Sequence, residues 1–156
     1  MLRLLLLASL LVGVAACDSA GDPDVLSADV RTSLYGLLLD EYQAEAIYAR
    51  VLDDFGDVTP FVNIIRAEQS HAAALETLYE RYNLDLPATP HTTDTVPAFA
   101  SVQAACAAGV EAEIANAALY DAILGEDMPA DVRQVLTSNR DASLNRHLPA
   151  FQRCAS

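Results

Sequence analysis

The stretch RAEQSHAAALETLYERY, Arg66 to Tyr82, decides the fold. With the residues just before it, it carries Phe61, Ile64, Glu68, His71, Leu75, Leu78 and Tyr82 at steps of three and four. That is the spacing of one face of an α-helix. The face is apolar at both ends, so it belongs against a core, yet a carboxylate and an imidazole stand in its middle. A carboxylate buried alone is costly or takes up a proton, so Glu68 needs a cation or a donor opposite it.

Working outward, the rest of the chain supplies three more helices of the same kind. The first is expected from about Ser27 to Phe55, with Ser27 or Asp29 as cap and Gly56 as stop. The second starts near Pro60 and ends near Tyr82. A Pro- and Thr-rich loop, NLDLPATPHTTDTVP, separates it from a third helix over about Ala98 to Leu124. The fourth runs from near Pro129 to about Cys154. No stretch alternates at period two for long enough to make a strand. The expected fold is all-α, a four-helix bundle. The short first and last links make antiparallel hairpins. The middle link reaches about 46 Å when extended, enough for a long crossover of the ferritin-like kind, and a simple up-down link fits as well.

Each core stripe is broken in the same way. The first helix reads Leu34, Leu38, Glu41, Glu45, Tyr48, Leu52, Phe55; the third reads Val102, Cys106, Gly109, Glu113, Asn116, Tyr120. The fourth reads Val132, Leu136, Asn139, Ser143, His147, Phe151. Counted from the first turn at about 1.5 Å rise per residue, Glu45, Glu68 and His71 stand nearly level. Glu113 and His147 match less well, about 9 Å apart along the axis on the same rise. Glu68 and His71, at i and i+3, share a face on which an oxygen and a ring nitrogen can bind one ion. The expected metal ligands are Glu45, Glu68, His71 and Glu113, with His147 as a fifth, and iron or manganese suits such a carboxylate-rich set. Glu41, one turn from Glu45, is placed behind the ligands. Tyr48, Tyr120 and Asn116 stand near enough to donate hydrogen bonds to them or simply to pack the core.

Four segments resemble a family of prokaryotic ferritin-like domains known only as a domain of unknown function. FVNIIRAEQSHAAALETLYERYNLDLP is similar to its signature helix, and AEAIYARVL to its Glu-rich first helix, with Glu45 at the matching acid. AGVEAEIANA resembles the third-helix segment, with Glu113 matching and Asn116 where an Asp is common. HLPAF resembles the close of the fourth helix, with His147 matching. The resemblance covers about residues 30–152 and implies a ferritin-like bundle with a redox activity on Fe(II) and oxygen or peroxide. This chain departs from the pattern at Leu144, which stands three residues before His147 where a second Glu-x-x-His would need its acid. Pro149 is expected to disturb the last helix by removing a backbone donor.

The remaining features concern where the domain sits. Residues 1–16 have the layout of a secretory signal, and Val14-Ala15-Ala16-Cys17 resembles the bacterial lipobox, which makes Cys17 the expected lipidated residue. Residues 17–27 read as a flexible tether and 28–156 as one domain. The expected location is the cell envelope, lipid-anchored and facing the periplasm or exterior. With Cys17 lipidated, Cys106 and Cys154 remain as an even pair in an oxidising compartment, expected as a disulfide against the alternative of two free thiols. The formal charge of −13, with all nine basic residues Arg, argues against nucleic acid as a partner. The partners left are the membrane through its anchor, a metal ion, and a second copy in a homo-oligomer. Two functions stand side by side. One is an anchored metal site with redox activity. The other is a non-catalytic lipoprotein whose polar belt is a metal-free network, with Arg140 and Arg146 neutralising Glu113 and Glu45.

Overall fold

The computed structural model describes residues 25–156. The expected signal peptide and Cys17 lie outside the described residues, as does most of the tether. Its last residues are not free chain, because Leu26 is buried in the core.

Among the described residues the chain is helical and forms no strand. Helix α1 spans Ala28–Phe55, where the Ser27 hydroxyl accepts from the Val30 amide at 3.2 Å. It stops at Gly56, whose φ of 79° suits a residue without Cβ and lets its amide donate to Leu52 O. Helix α2 spans Phe61–Arg81. Its end is sealed by the Leu84 amide on Tyr79 O and the Asn83 amide on Glu80 O, with Asn83 at φ 50°, the pairing of a Schellman close. Helix α3 spans Val102–Leu124, later than the sequence suggested, because the Ser101 hydroxyl caps it by accepting from the Ala104 amide.

The fourth rod has three parts. Helix α4 covers Ala130–Ala142, a π turn covers Ser143–His147, and helix α5 covers Leu148–Ala155. Pro149 has no amide to give the turn before it. The chain absorbs that loss as a wider turn, in which the Leu148 amide donates to Ser143 O, rather than as a break.

Side-chain contacts fix the topology. Tyr42 donates to Glu76 and Tyr48 meets Phe61 edge to face, so α1 and α2 are antiparallel. Cys106 near the start of α3 is bonded to Cys154 at the end of α5, with Cα atoms 5.7 Å apart, so these rods are antiparallel too. Tyr82, just past α2, donates to Asp131 at the start of α4, whereas Phe61, opening α2, packs on Phe151 of α5. Helices α2 and α3 therefore point the same way. The link over residues 82–101 must return along the whole bundle, from Leu84 on one apolar cluster to Phe99 on the other. Of the two links open from the sequence, the long crossover is the one formed.

Two apolar clusters hold the ends of the bundle. One gathers Leu34, Leu38, Leu75, Leu78, Ile123 and Leu136; the other gathers Tyr48, Val51, Phe61, Ile64 and Phe151. Between them lie Glu41, Glu68, His71, Glu113, Asn116, Asn139, Ser143 and His147, all buried.

Candidate metal centre

Each polar residue in the middle layer is placed by a helix whose neighbouring turns are locked in apolar packing. On α2, Glu68 and His71 lie one turn apart between Ile64 and Leu75, with Glu68 Oε2 3.0 Å from His71 Nδ1. The other Glu68 oxygen, Oε1, lies 3.1 Å from Nδ1 of His147, which the π turn carries inward. Glu41 of α1 brings Oε2 to 3.4 Å from His71 Nδ1. Glu113 of α3 brings Oε2 to 3.4 Å from His147 Nδ1. Two triads result, Glu41–Glu68–His71 and Glu68–Glu113–His147. In each, one ligand atom per residue lies within 4.8 Å of the others. Glu68 belongs to both, with one oxygen facing each.

The outer halves of these groups are satisfied. Tyr120 donates to Glu41 Oε1 at 2.6 Å, and Tyr48 donates to Glu113 Oε1 at 2.8 Å. Asn116 adds a bond to Glu41 and one to Asp40, and accepts from Ser143. Asn139 donates to the Tyr120 hydroxyl. The inner halves meet only within the cluster: Glu41 Oε2, Glu68 Oε1 and His147 Nδ1 are buried and make no hydrogen bond, each facing an opposite group across an ionic contact of 3.1 or 3.4 Å. Buried polar atoms are nearly always paired, so the convergence of these three makes the place a candidate site for an ion.

The site has an approximate internal repeat. Glu41 and Tyr48 on α1 recur as Glu113 and Tyr120 on α3, with the same seven-residue spacing, and each Tyr bonds the Glu of the other helix. His71 and His147 form the corresponding pair, their rings 5.3 Å apart and nearly parallel at 22°. The repeat fails at one place. Glu68 has no counterpart, since Leu144 is half-buried and apolar, and Ser143 takes up the space beside Asn116.

Electrostatics follow from the packing. Burial alone would lower the pKa of each imidazole, but the facing carboxylates outweigh it. His71 is raised to about 9 by Glu41 and Glu68, and His147 to about 9 by Glu113 and Glu68. Burial raises Glu41. Burial works in the same sense on Glu68, yet the two imidazoles that face it, His147 and His71, prevail and hold it low. Burial, and then the adjacent acid, keeps the Tyr48 and Tyr120 hydroxyls protonated and therefore donating.

Of the residues expected as ligands, Glu68, His71, Glu113 and His147 come together. Glu45 does not. It is half-exposed and accepts from Gln69 at 2.8 Å on the surface, while Glu41 occupies the inner position. Arg140 pairs with Asp121 and Asp141, and Arg146 is exposed, so neither neutralises the cluster.

A family model described as an uncharacterized protein domain (DUF2202) matches residues 31–145. The chain belongs to that family. Comparison with the curated proteins and with the solved structures returns no match. The DUF2202 match takes in Glu41, Glu68, His71 and Glu113 and stops two residues short of His147.

Two openings reach this DUF2202 site from opposite sides. Between α1 and α3, a pocket of about 220 Å³ is lined by Asp40, Gln43, Tyr48, Glu68, Glu113 and Asn116. Between α2 and the fourth rod, a wider cleft of about 570 Å³ has His71 and His147 in its wall.

Proposed function

We propose that the chain is a ferritin-like domain that holds two divalent metal ions, iron or manganese, at the Glu41–Glu68–His71 and Glu68–Glu113–His147 triads. The observation that carries this reading is the convergence of buried acids and imidazoles on Glu68, whose two oxygens face the two triads, with Glu41 Oε2, Glu68 Oε1 and His147 Nδ1 left without a hydrogen bond. Five protein ligands, carboxylate oxygens with one imidazole nitrogen per ion, are the donor set that suits these metals. The single long crossover and the Glu-x-x-His on α2 support the ferritin-like reading, since carboxylate-bridged bundles combine these features. Leu144 in place of a second bridging acid leaves the site one shared carboxylate short for both ions.

Iron bound here supplies one-electron redox chemistry toward oxygen or peroxide. The chain's own contribution is positional. Tyr48 and Tyr120 fix the Glu113 and Glu41 carboxylates from behind, and hydrogen bonds of this kind typically change metal affinity about 10- to 100-fold. The apolar clusters at either end keep bulk water out along the bundle axis, leaving the two lateral openings as routes in. The disulfide agrees with an oxidising compartment, and with it the reading places the domain in the cell envelope, anchored by lipid at Cys17.

Metal analysis after loading with Fe(II) or Mn(II) tests the binding. Two ions per chain are expected in the wild type, none in Glu68→Ala, and an unchanged content in Glu45→Ala. The reading is overturned by a wild type that keeps no ion after loading. In that case the cluster is the metal-free network of imidazolium–carboxylate pairs that the 3.0 Å contact between His71 and Glu68 also permits. Oxygen uptake on Fe(II) addition separately decides whether the bound metal turns over.

A further inference from the structure

The two openings to the site differ in charge. The cleft between α2 and the fourth rod has Arg146, His71 and His147 in its wall and no carboxylate. The pocket between α1 and α3 is the reverse: Asp40, Glu68 and Glu113 line it, with no Arg or His. Its lining also runs inward in order of depth. Gln43 is exposed and Asp40 half-buried, whereas Glu68 and Glu113 are each 2% exposed. At the deep end, Glu68 Oε1 makes no hydrogen bond.

Asp40 is the one acid of the three that belongs to neither triad. One of its oxygens is committed. Oδ2 accepts from Asn116 Nδ2 at 2.8 Å, and the same nitrogen donates to Glu41 Oε1 at 3.1 Å. The Asn116 amide is held in that orientation because its Oδ1 accepts from Ser143 at 2.8 Å. A single amide thus ties Asp40 to the back of a ligand acid. The other oxygen, Asp40 Oδ1, makes no hydrogen bond among the described residues and is not sealed from solvent. One free oxygen is too few to retain an ion of octahedral preference, but it can replace a water on an ion in passage.

We infer that the α1–α3 pocket is the entry route for the divalent ion and that Asp40 is its transit residue. Oδ1 takes the place of one water of the hydrated ion at the mouth, and Glu113 and Glu68 receive the ion at the deep end. The inference rests on the metal reading and adds the direction from which the site is filled. A pocket lined by one sign of charge concentrates the opposite sign and speeds association by about 10- to 1,000-fold. The cleft, with a guanidinium in its wall, gives a cation no such help.

Uptake of Mn(II) tests this without any turnover. In the full chain, freed of metal by chelator, loss of the spin-resonance signal of hydrated Mn(II) follows binding in time, and its end point gives the number bound. Asp40→Asn keeps the size of the side chain and an oxygen for Asn116. It should slow uptake about tenfold or more and leave the end point at the wild-type value. Asp40→Glu should restore much of the rate. Ala115→Phe, at an exposed position on the pocket lining, should slow uptake as well, whereas Ser138→Phe, exposed on the cleft, should not. A wild-type rate in Asp40→Asn or in Ala115→Phe, or equal slowing in Ser138→Phe, overturns the inference and leaves the metal reading standing. A reduced end point in Asp40→Asn also overturns it, since Asp40 would then support the site rather than feed it. A wild type that binds no Mn(II) overturns the metal reading, and this one with it.

Discussion

At the scale of single residues, the centre is a set of acids and imidazoles whose charges are balanced only against one another. Without metal, His71 and His147 are imidazolium, each with a folded-state pKa of about 9 against an ordinary value of 6.5. A raised pKa on a base stabilises the fold fully below the unfolded value, and that contribution disappears as pH rises through the folded one. Glu41, raised by burial, acts in the same direction. The melting temperature of the chelated protein should therefore fall between about pH 7 and pH 10. Metal loading should flatten the curve, because it takes the place of the protons. Binding should release protons at neutral pH, and affinity should rise about tenfold per pH unit for each proton displaced. Calorimetry in buffers of different ionisation enthalpy checks this. Tyr48→Phe orphans Glu113 Oε1, and Tyr120→Phe leaves Glu41 Oε1 to Asn116 alone. Each should weaken metal binding about 10- to 100-fold and cost about 1–3 kcal/mol of stability, with Tyr48→Phe the more severe. Most of this centre is legible in the sequence, since Glu68 and His71 share a helical face and Glu113 and His147 interrupt apolar stripes. The choice between Glu41 and Glu45 is not legible from level counting. Both acids lie on the same stripe, and the count takes the paired helices to be parallel and to end level. The signal that separates them is the seven-residue step from Glu41 to Tyr48, repeated from Glu113 to Tyr120, which aligns Glu41 and not Glu45 with Glu113.

At the scale of elements, the candidate metal centre depends on how closely α3 approaches the fourth rod. Gly109 makes that approach possible. A Cβ built there would lie 2.7 Å from Phe151 Cδ1, and Phe151 is fully buried against Tyr48 and Phe61. Gly109→Ala should therefore destabilise the fold by about 1–3 kcal/mol through overpacking, despite alanine's better helix propensity. Gly36, also helical, has nothing within 4 Å of such a Cβ, so Gly36→Ala should stabilise by a few tenths to about 1 kcal/mol. Denaturant melts of the two variants should move in opposite directions. The helices themselves can be read from periodicity and caps, within a few residues at each end. The π turn cannot. Its cause, Pro149, is visible, but whether a missing amide yields a kink, a break or a wider turn depends on packing against α3. The wider turn ends on His147, which reaches Glu68 and Glu113.

At the scale of the whole molecule, three features tie the rods together: two apolar clusters, the crossover over residues 82–101, and one disulfide. The Cys106–Cys154 bond closes a loop with a sequence separation of 48. On the chain-entropy model, a loop of this length contributes about 4 kcal/mol. Reduction should lower the denaturation midpoint accordingly while leaving metal content unchanged, since neither sulfur touches the centre. The disulfide's location was within reach of a hairpin argument. The choice of the crossover over a simple up-down link was not, because link length permits both, and only the distant pairs Tyr82–Asp131 and Phe61–Phe151 decide it. The proposed envelope location belongs to this scale as well. Cys17→Ser should move the chain from the membrane to the soluble fraction, as fractionation with detergent phase partition would show. The most direct test of the metal centre is anomalous diffraction from crystals soaked in Mn(II) or Fe(II). Two peaks about 3.5–4 Å apart should flank Glu68, one beside Glu41 and His71, the other beside Glu113 and His147. Peaks confined to surface acids such as Asp53, Asp54 and Asp57, with nothing between the triads, would contradict the proposal.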